Sequence, residues 1–184
     1  MTRSRRVREH ALKVASGLFY RNGVRAVGME QIVETSGIAK TTIYRHFPTK
    51  DALIEAFLEK EDREFWSQWD SVVVAKRTPS AKLDALCDWI GDRVRRDSYR
   101  GCPQLNVAAE FADSTHPARL VARRHKAEMY RRLRDICRQL DARNADITAM
   151  QIALLFDGAF MNDGRLKDFD APALLRRAVQ RLIA

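Results

Sequence analysis

Apolar residues recur at helical spacing along nearly the whole chain, and no segment alternates as a half-buried strand bounded by hairpin turns would. From Val7 to Tyr20 they fall at positions 7, 11, 14, 15, 18 and 19, a single stripe that Asn22-Gly23 ends. Two short helical patterns then meet at Ser36-Gly37. Ile32, Val33, Ile38 and Ile43 are their buried candidates, and Gly37 stands where a positive φ lets the chain turn sharply. Thr49 reads as the N-cap of a long fourth helix with Asp51 in its first turn; its apolar side runs from Leu53 through Phe57, Phe65, Trp66 and Trp69 to Val73. Thr78-Pro79 opens a fifth helix ending near Asp97, and Gly101-Cys102-Pro103 breaks the pattern before a short apolar stretch from Leu105 to Phe111. His116-Pro117 precedes another long helix carrying Val121, Met129, Leu133 and Leu140. The expectation is an all-α fold of about nine helices, with a three-helix head at residues 1–48 and a helical domain at 49–184.

The last two helices are broader in their apolar character. Ile147 to Met161 is apolar on nearly every face, more than packing on one neighbour requires, and Leu174 to Ile183 forms a wide stripe. Two such helices paired with two from a second copy would make a four-helix interface. Ile147, Met150, Leu154, Met161, Leu175, Val179 and Leu182 are its expected residues, and a homodimer its expected product.

Charge adds a location to this pattern. Of the net +9, residues 1–50 hold ten Lys and Arg against three Asp and Glu, whereas the rest of the chain is nearly balanced. Cations concentrated on one segment are what a nucleic-acid reader needs, because binding releases counterions there. The same segment holds the two short helices. Lys40, Thr41, Thr42, Tyr44 and His46 supply donors suited to phosphate oxygens and base edges, with Lys50 next and Gln31 nearby. Arg3, Arg5, Arg6 and Arg8 read as a basic arm ahead of the first helix, able to reach phosphates or a minor groove. No stretch approaches the ~18 consecutive apolar residues of a membrane span, and the basic start lacks the apolar run of a signal peptide, so a cytoplasmic protein with no membrane partner is expected.

Catalytic and metal chemistry find little footing. The three cysteines, Cys87, Cys102 and Cys137, are widely spaced with no Cys-x-x-Cys pair, and neither a nucleophile elbow nor a phosphate loop is present. No enzyme, metal or cofactor is expected.

The head resembles the TetR family of bacterial transcriptional regulators. The resemblance rests on the first helix followed by MEQIVETSGIAKTTIYRHFPTKDALIEAFLE, with Tyr44 and Phe47 in a Tyr-x-x-Phe pattern ahead of Lys50. It implies that Lys40, Thr41, Thr42, Tyr44 and His46 face double-stranded operator DNA. Ile43 would pack on the first helix, Phe47 would be buried, and Lys50 would take a phosphate. Many members cap the second helix with Ser or Thr; here Gly28 stands there, so a hydroxyl is missing and Gln31 is a candidate substitute. Gly101-Cys102-Pro103 with Asn106 and Glu110 resembles a pattern in a subset of the family. Asn106 and Glu110 lie four apart on one helix face, either as a polar anchor in a ligand pocket or as hydrogen-bond partners of neighbouring helix ends. Phe65, Trp66, Trp69, Cys87, Trp89, Ile90, Met129, Leu133 and Phe156 are candidate walls for a small apolar or amphipathic inducer, with Cys102 beside them. The implied function is a dimeric repressor released from a palindromic operator by that inducer. A thiol-based sensor of oxidants or electrophiles using Cys102 is the alternative.

Overall fold

Helix follows helix because the stop signals are local and strong. The structure, a computed structural model, describes residues 2–141, 143–162 and 164–184. Among the described residues are nine helices and no strand: α1 (Arg3–Asn22), α2 (Met29–Ser36), α3 (Lys40–His46), α4 (Lys50–Val73), α5 (Pro79–Val94), α6 (Pro103–Glu110), α7 (Pro117–Cys137), α8 (Ala145–Phe160) and α9 (Ala171–Ile183). Side-chain oxygens satisfy first-turn N–H groups of α1, α4, α5 and α9. Thr49 Oγ1 accepts from Ala52 N at 3.0 Å, Thr78 Oγ1 from Ala81 N at 3.2 Å and Asp170 Oδ1 from Ala173 N at 3.1 Å.

The fourth cap corrects an expectation. Thr2 Oγ1 accepts from Arg5 N, so α1 begins at Arg3, and Arg3, Arg5, Arg6 and Arg8 belong to its first two turns instead of preceding it. Arginine is a good helix former, and Arg5 pairs with Glu9 one turn on at 3.0 Å, which relieves the crowding of like charges.

The helices gather into two compact units. One comprises residues up to Arg63 together with Pro103–Arg123; the other comprises Glu64–Cys102 and Arg124–Ala184. The first of these units reaches past residue 48. Its core joins Leu12, Phe19, Ile32, Ile43, Phe47, Leu53 and Phe57 to Val107, Ala118 and Val121, and burial of each large apolar side chain here contributes about 1.5–3 kcal/mol.

In the second unit α9 packs along α5. They approach closely at Gly91, where a Cβ would lie 2.6 Å from Pro172 Cδ, and Arg176 pairs with Asp88. Leu83, Leu86, Cys87 and Ile90 of α5 are fully buried, as is Val179 of α9.

Candidate nucleic-acid interface

The short helices α2 and α3 present a surface because each buries only one side. Ile32 and Ile43 are fully enclosed and Phe47 nearly so, which anchors both helices against α1. Gly37 turns the chain between them at φ 65° and ψ 14°. Ser36 secures the turn, its Oγ accepting from Ile38 N at 3.2 Å, while Ser36 O lies 3.1 Å from His10 Nε2 of α1.

With Ile43 turned inward, Lys40, Thr41 and Tyr44 of α3 are exposed, and Thr42 and His46 are half-buried. Arg45, one turn after Thr41, is exposed as well. It was not among the named DNA-facing residues, although its i,i+4 relation to Thr41 places it on the same side. Gln31 is exposed on α2, and Gly28 caps that helix with no side-chain hydrogen bond. Arg3, Arg5 and Arg6 are exposed on α1, and the Arg8 guanidinium lies 4.8 Å from the centre of the Phe47 ring.

Two of the cations expected to meet DNA already have partners. Lys50 Nζ donates to Arg25 O at 3.4 Å. Lys40 Nζ donates to Glu30 Oε1 at 2.6 Å, linking the start of α3 to the first turn of α2. That hydrogen bond, reinforced by the opposite charge, holds the Glu30 carboxyl below the usual carboxylate range and raises the Lys40 ammonium above its ordinary value.

Glu110 belongs to the head. Its Oε1 accepts from Val24 N at 3.1 Å, its Oε2 from Arg25 N at 2.8 Å, and its backbone carbonyl from Arg25 Nη1 at 3.2 Å. Gly23 permits this approach, with φ 86° and no Cβ where one would come within 3.1 Å of Glu110 Oε1. Of the two roles open to Glu110, the structure places it in the second, holding a neighbouring helix end. Asn106 is half-buried on the same short helix, and Gln104 Nε2 ties that helix to Leu58 O of α4 at 3.0 Å.

The aromatic wall candidates come together in the second unit. Phe65 has its ring centre 4.9 Å from that of Trp66, 6.2 Å from Trp69 and 5.0 Å from Trp89. His125 and Phe160, not among the wall candidates, complete the cluster at 4.7 and 6.0 Å from Phe65. Ile90, Met129, Leu133 and Phe156 are buried in the same unit. A cavity of about 510 Å³ lies elsewhere in that unit, lined by Leu154, Leu155, Asn162, Leu166 and Phe169 among others, and by none of the wall candidates.

The expected dimer residues divide. Ile147, Met150, Leu154 and Met161 are exposed along α8, Leu154 at 65%. Leu175 and Val179 instead face the protomer's own interior, at 5% and 0% exposure, because α5 takes that side of α9; Leu182 is half-buried. Phe169 and Leu174 are additional exposed apolar side chains.

All three cysteines are free and buried, Cys102 at 5% exposure. Burial, with help from Asp84 and Asp88, pushes the Cys87 thiol up to about 12, and burial alone pushes Cys137 to about 11. Among the described residues no three His, Cys, Asp or Glu side chains group as metal ligands, and no helix is long and apolar enough to cross a membrane.

Residues 11–57, which contain α2, α3 and the start of α4, match the family described as bacterial regulatory proteins, tetR family. The HTH-type transcriptional regulator RutR of Escherichia coli is 32% identical over 95 residues, 52% of this chain and 42% of its own length. The HTH-type transcriptional repressor KstR of Mycolicibacterium smegmatis is 27% identical over 113 residues, 61% of this chain and 53% of its own. The chain thus spans about half the length of the curated relatives it matches. A TetR-family transcriptional regulator from Streptomyces coelicolor superimposes with a TM-score of 0.88 at 26% identity, covering 96% of this chain and 94% of that one. A helix-turn-helix built on Ile32, Ile43 and Phe47 thus carries the match to the tetR family over residues 11–57, and the helices around it share the fold of a TetR-family regulator along almost the whole length of the chain.

Proposed function

We propose that the chain is a homodimeric repressor that binds a palindromic DNA operator and is released by a small apolar or amphipathic inducer. The observation that carries the reading is the outward side of α3, where Lys40, Thr41, Tyr44 and Arg45 are exposed over a buried Ile43. One such helix covers only a few base pairs, so affinity requires two heads about one helical turn of DNA apart, ~34 Å. The exposed row Ile147, Met150, Leu154 and Met161 supports a second copy as the means of holding them. That a matched relative is a repressor supports the sign of the effect.

Release needs an inducer that binds the two head spacings differently, and ~1–3 kcal/mol of coupling is the usual scale. The helix α4 runs from the head's unit into the unit holding Phe65, Trp66 and Trp69, which supports it as the lever. The burial of Cys102 favours this reading over thiol sensing.

Capture of genomic duplexes by the full chain, followed by displacement with a compound panel and tryptophan fluorescence, tests the proposal. Tyr44→Ala and Lys50→Ala are expected to weaken binding to the captured duplex with the dimer intact. Equal binding by a forced monomer would overturn the scheme.

A further inference from the structure

The pair Glu30–Lys40 joins the two short helices at the head's outer surface, ten residues apart in sequence and 2.6 Å between charged atoms. Neither side chain is enclosed: Lys40 retains 52% and Glu30 77% of its exposure. Exposed single pairs contribute little to stability, so the consequence of this one lies in what the Lys40 ammonium is free to meet. The Glu30 carboxylate also borders Gly28, with Oε2 3.8 Å from where a Cβ at that position would stand. A carboxylate therefore adjoins both the uncapped start of α2 and the cation that opens α3. Residues 1–50 carry ten cations and three acids, and this acid is spent on the helix whose outer side is otherwise rich in donors.

An ammonium has three donors, and one given to Glu30 leaves two. A lysine so held is confined close to α3 and oriented, which suits a base edge such as guanine O6 and N7. A freely sweeping lysine instead finds phosphates. We infer that Glu30 is a specificity-determining residue that keeps Lys40 off the phosphate backbone and presents it to a base edge. The inference rests on α3 being the DNA-reading helix.

Glu30→Gln removes the charge while preserving size. It frees Lys40 to contact a phosphate, so one more counterion is released on binding. The slope of log affinity against log salt for a random-sequence duplex then steepens by about 0.9, equivalent to roughly a three- to fourfold gain in relative affinity over a fourfold fall in salt. The preference of the variant for the captured duplex over the random one falls, its melting curve stays that of the unsubstituted chain, and in a Lys40→Met background the slope change disappears. An unchanged slope, an undiminished preference, or the same steepening without Lys40 overturns the role of Glu30. Failure of the unsubstituted chain to bind any duplex overturns the DNA-reading assignment itself.

Discussion

Glu110 holds Val24 across 86 residues of sequence: its Oε1 accepts from the Val24 backbone N–H at 3.1 Å while the Val24 side chain is fully buried. The carboxylate thereby satisfies donors in the turn between α1 and α2 that no helix ladder reaches. Glu110→Ala leaves the Val24 N–H without its acceptor in a part-buried site, a loss of about 1–2 kcal/mol in denaturant unfolding. Glu110→Gln, which keeps one acceptor oxygen, is expected to lose less. Equal stability of all three chains would contradict the role assigned to the contact.

Gly91 makes a parallel prediction in the other unit. A Cβ there would stand 2.6 Å from Pro172 Cδ and close to its backbone as well, so Gly91→Ala has to push α9 away from α5. Overpacking of this kind typically loses 1–3 kcal/mol, and here it acts against the backbone, which cannot swing aside. A thermal melt lowered by several degrees is expected. A melt equal to that of the parent chain would mean that α9 has slack.

For the dimer, exposure separates two substitutions of similar chemistry. Leu154→Glu puts a charge on the outer row of α8 and is expected to yield a folded monomer in sedimentation, with unaltered circular dichroism. Val179→Glu buries the same charge within the protomer and is expected to abolish folding. A dimeric Leu154→Glu chain would remove α8 from the interface.

Glu128 on α7 accepts from Arg131 and Arg132, each at 2.6 Å to Oε1, and these bonds, that from Arg131 foremost, hold its carboxyl at about 2 against an ordinary 4.5. Because the folded state binds the proton more weakly than the unfolded chain, the stabilisation is fully present above about 4.5. It is lost progressively as pH falls from there to about 2. The stability of Glu128→Gln is expected to fall less steeply with pH in that interval and to lie below that of the parent chain above it. Identical acid limbs would show that the pair contributes nothing.

Periodicity carried most of the helix assignment, because each stripe ends at a glycine, proline or capping residue that acts locally. The buried and exposed sides of α3 were legible for the same reason: Ile43 and Phe47 are apolar in a segment otherwise made of donors. Contacts across long separations were not. Nothing in the spacing of Asn106 and Glu110 says which neighbour their face meets, and for Glu110 that neighbour is a turn 86 residues earlier. The stripe on α9 is wide enough for two partners, and only the close approach at Gly91 decides that Leu175 and Val179 turn toward α5. At the amino terminus four arginines read as a basic arm ahead of the first helix. A single threonine and the Arg5–Glu9 pair suffice to make it helix.

The unit holding α2 and α3 is assembled from two stretches of chain, with α6 and the beginning of α7 closing a core that α1 to α4 leave open. Inheritance by recombination is constrained accordingly. A crossover near residue 48 that exchanged everything after it would strand Val24 without Glu110, and Ile32, Ile43 and Phe47 without Val107 and Val121 of their shared core. A chain that exchanged residues 49–184 would have to bring an α6 segment able to rebuild those contacts, so the unit that must travel intact is the interleaved pair of segments and not the amino-terminal third.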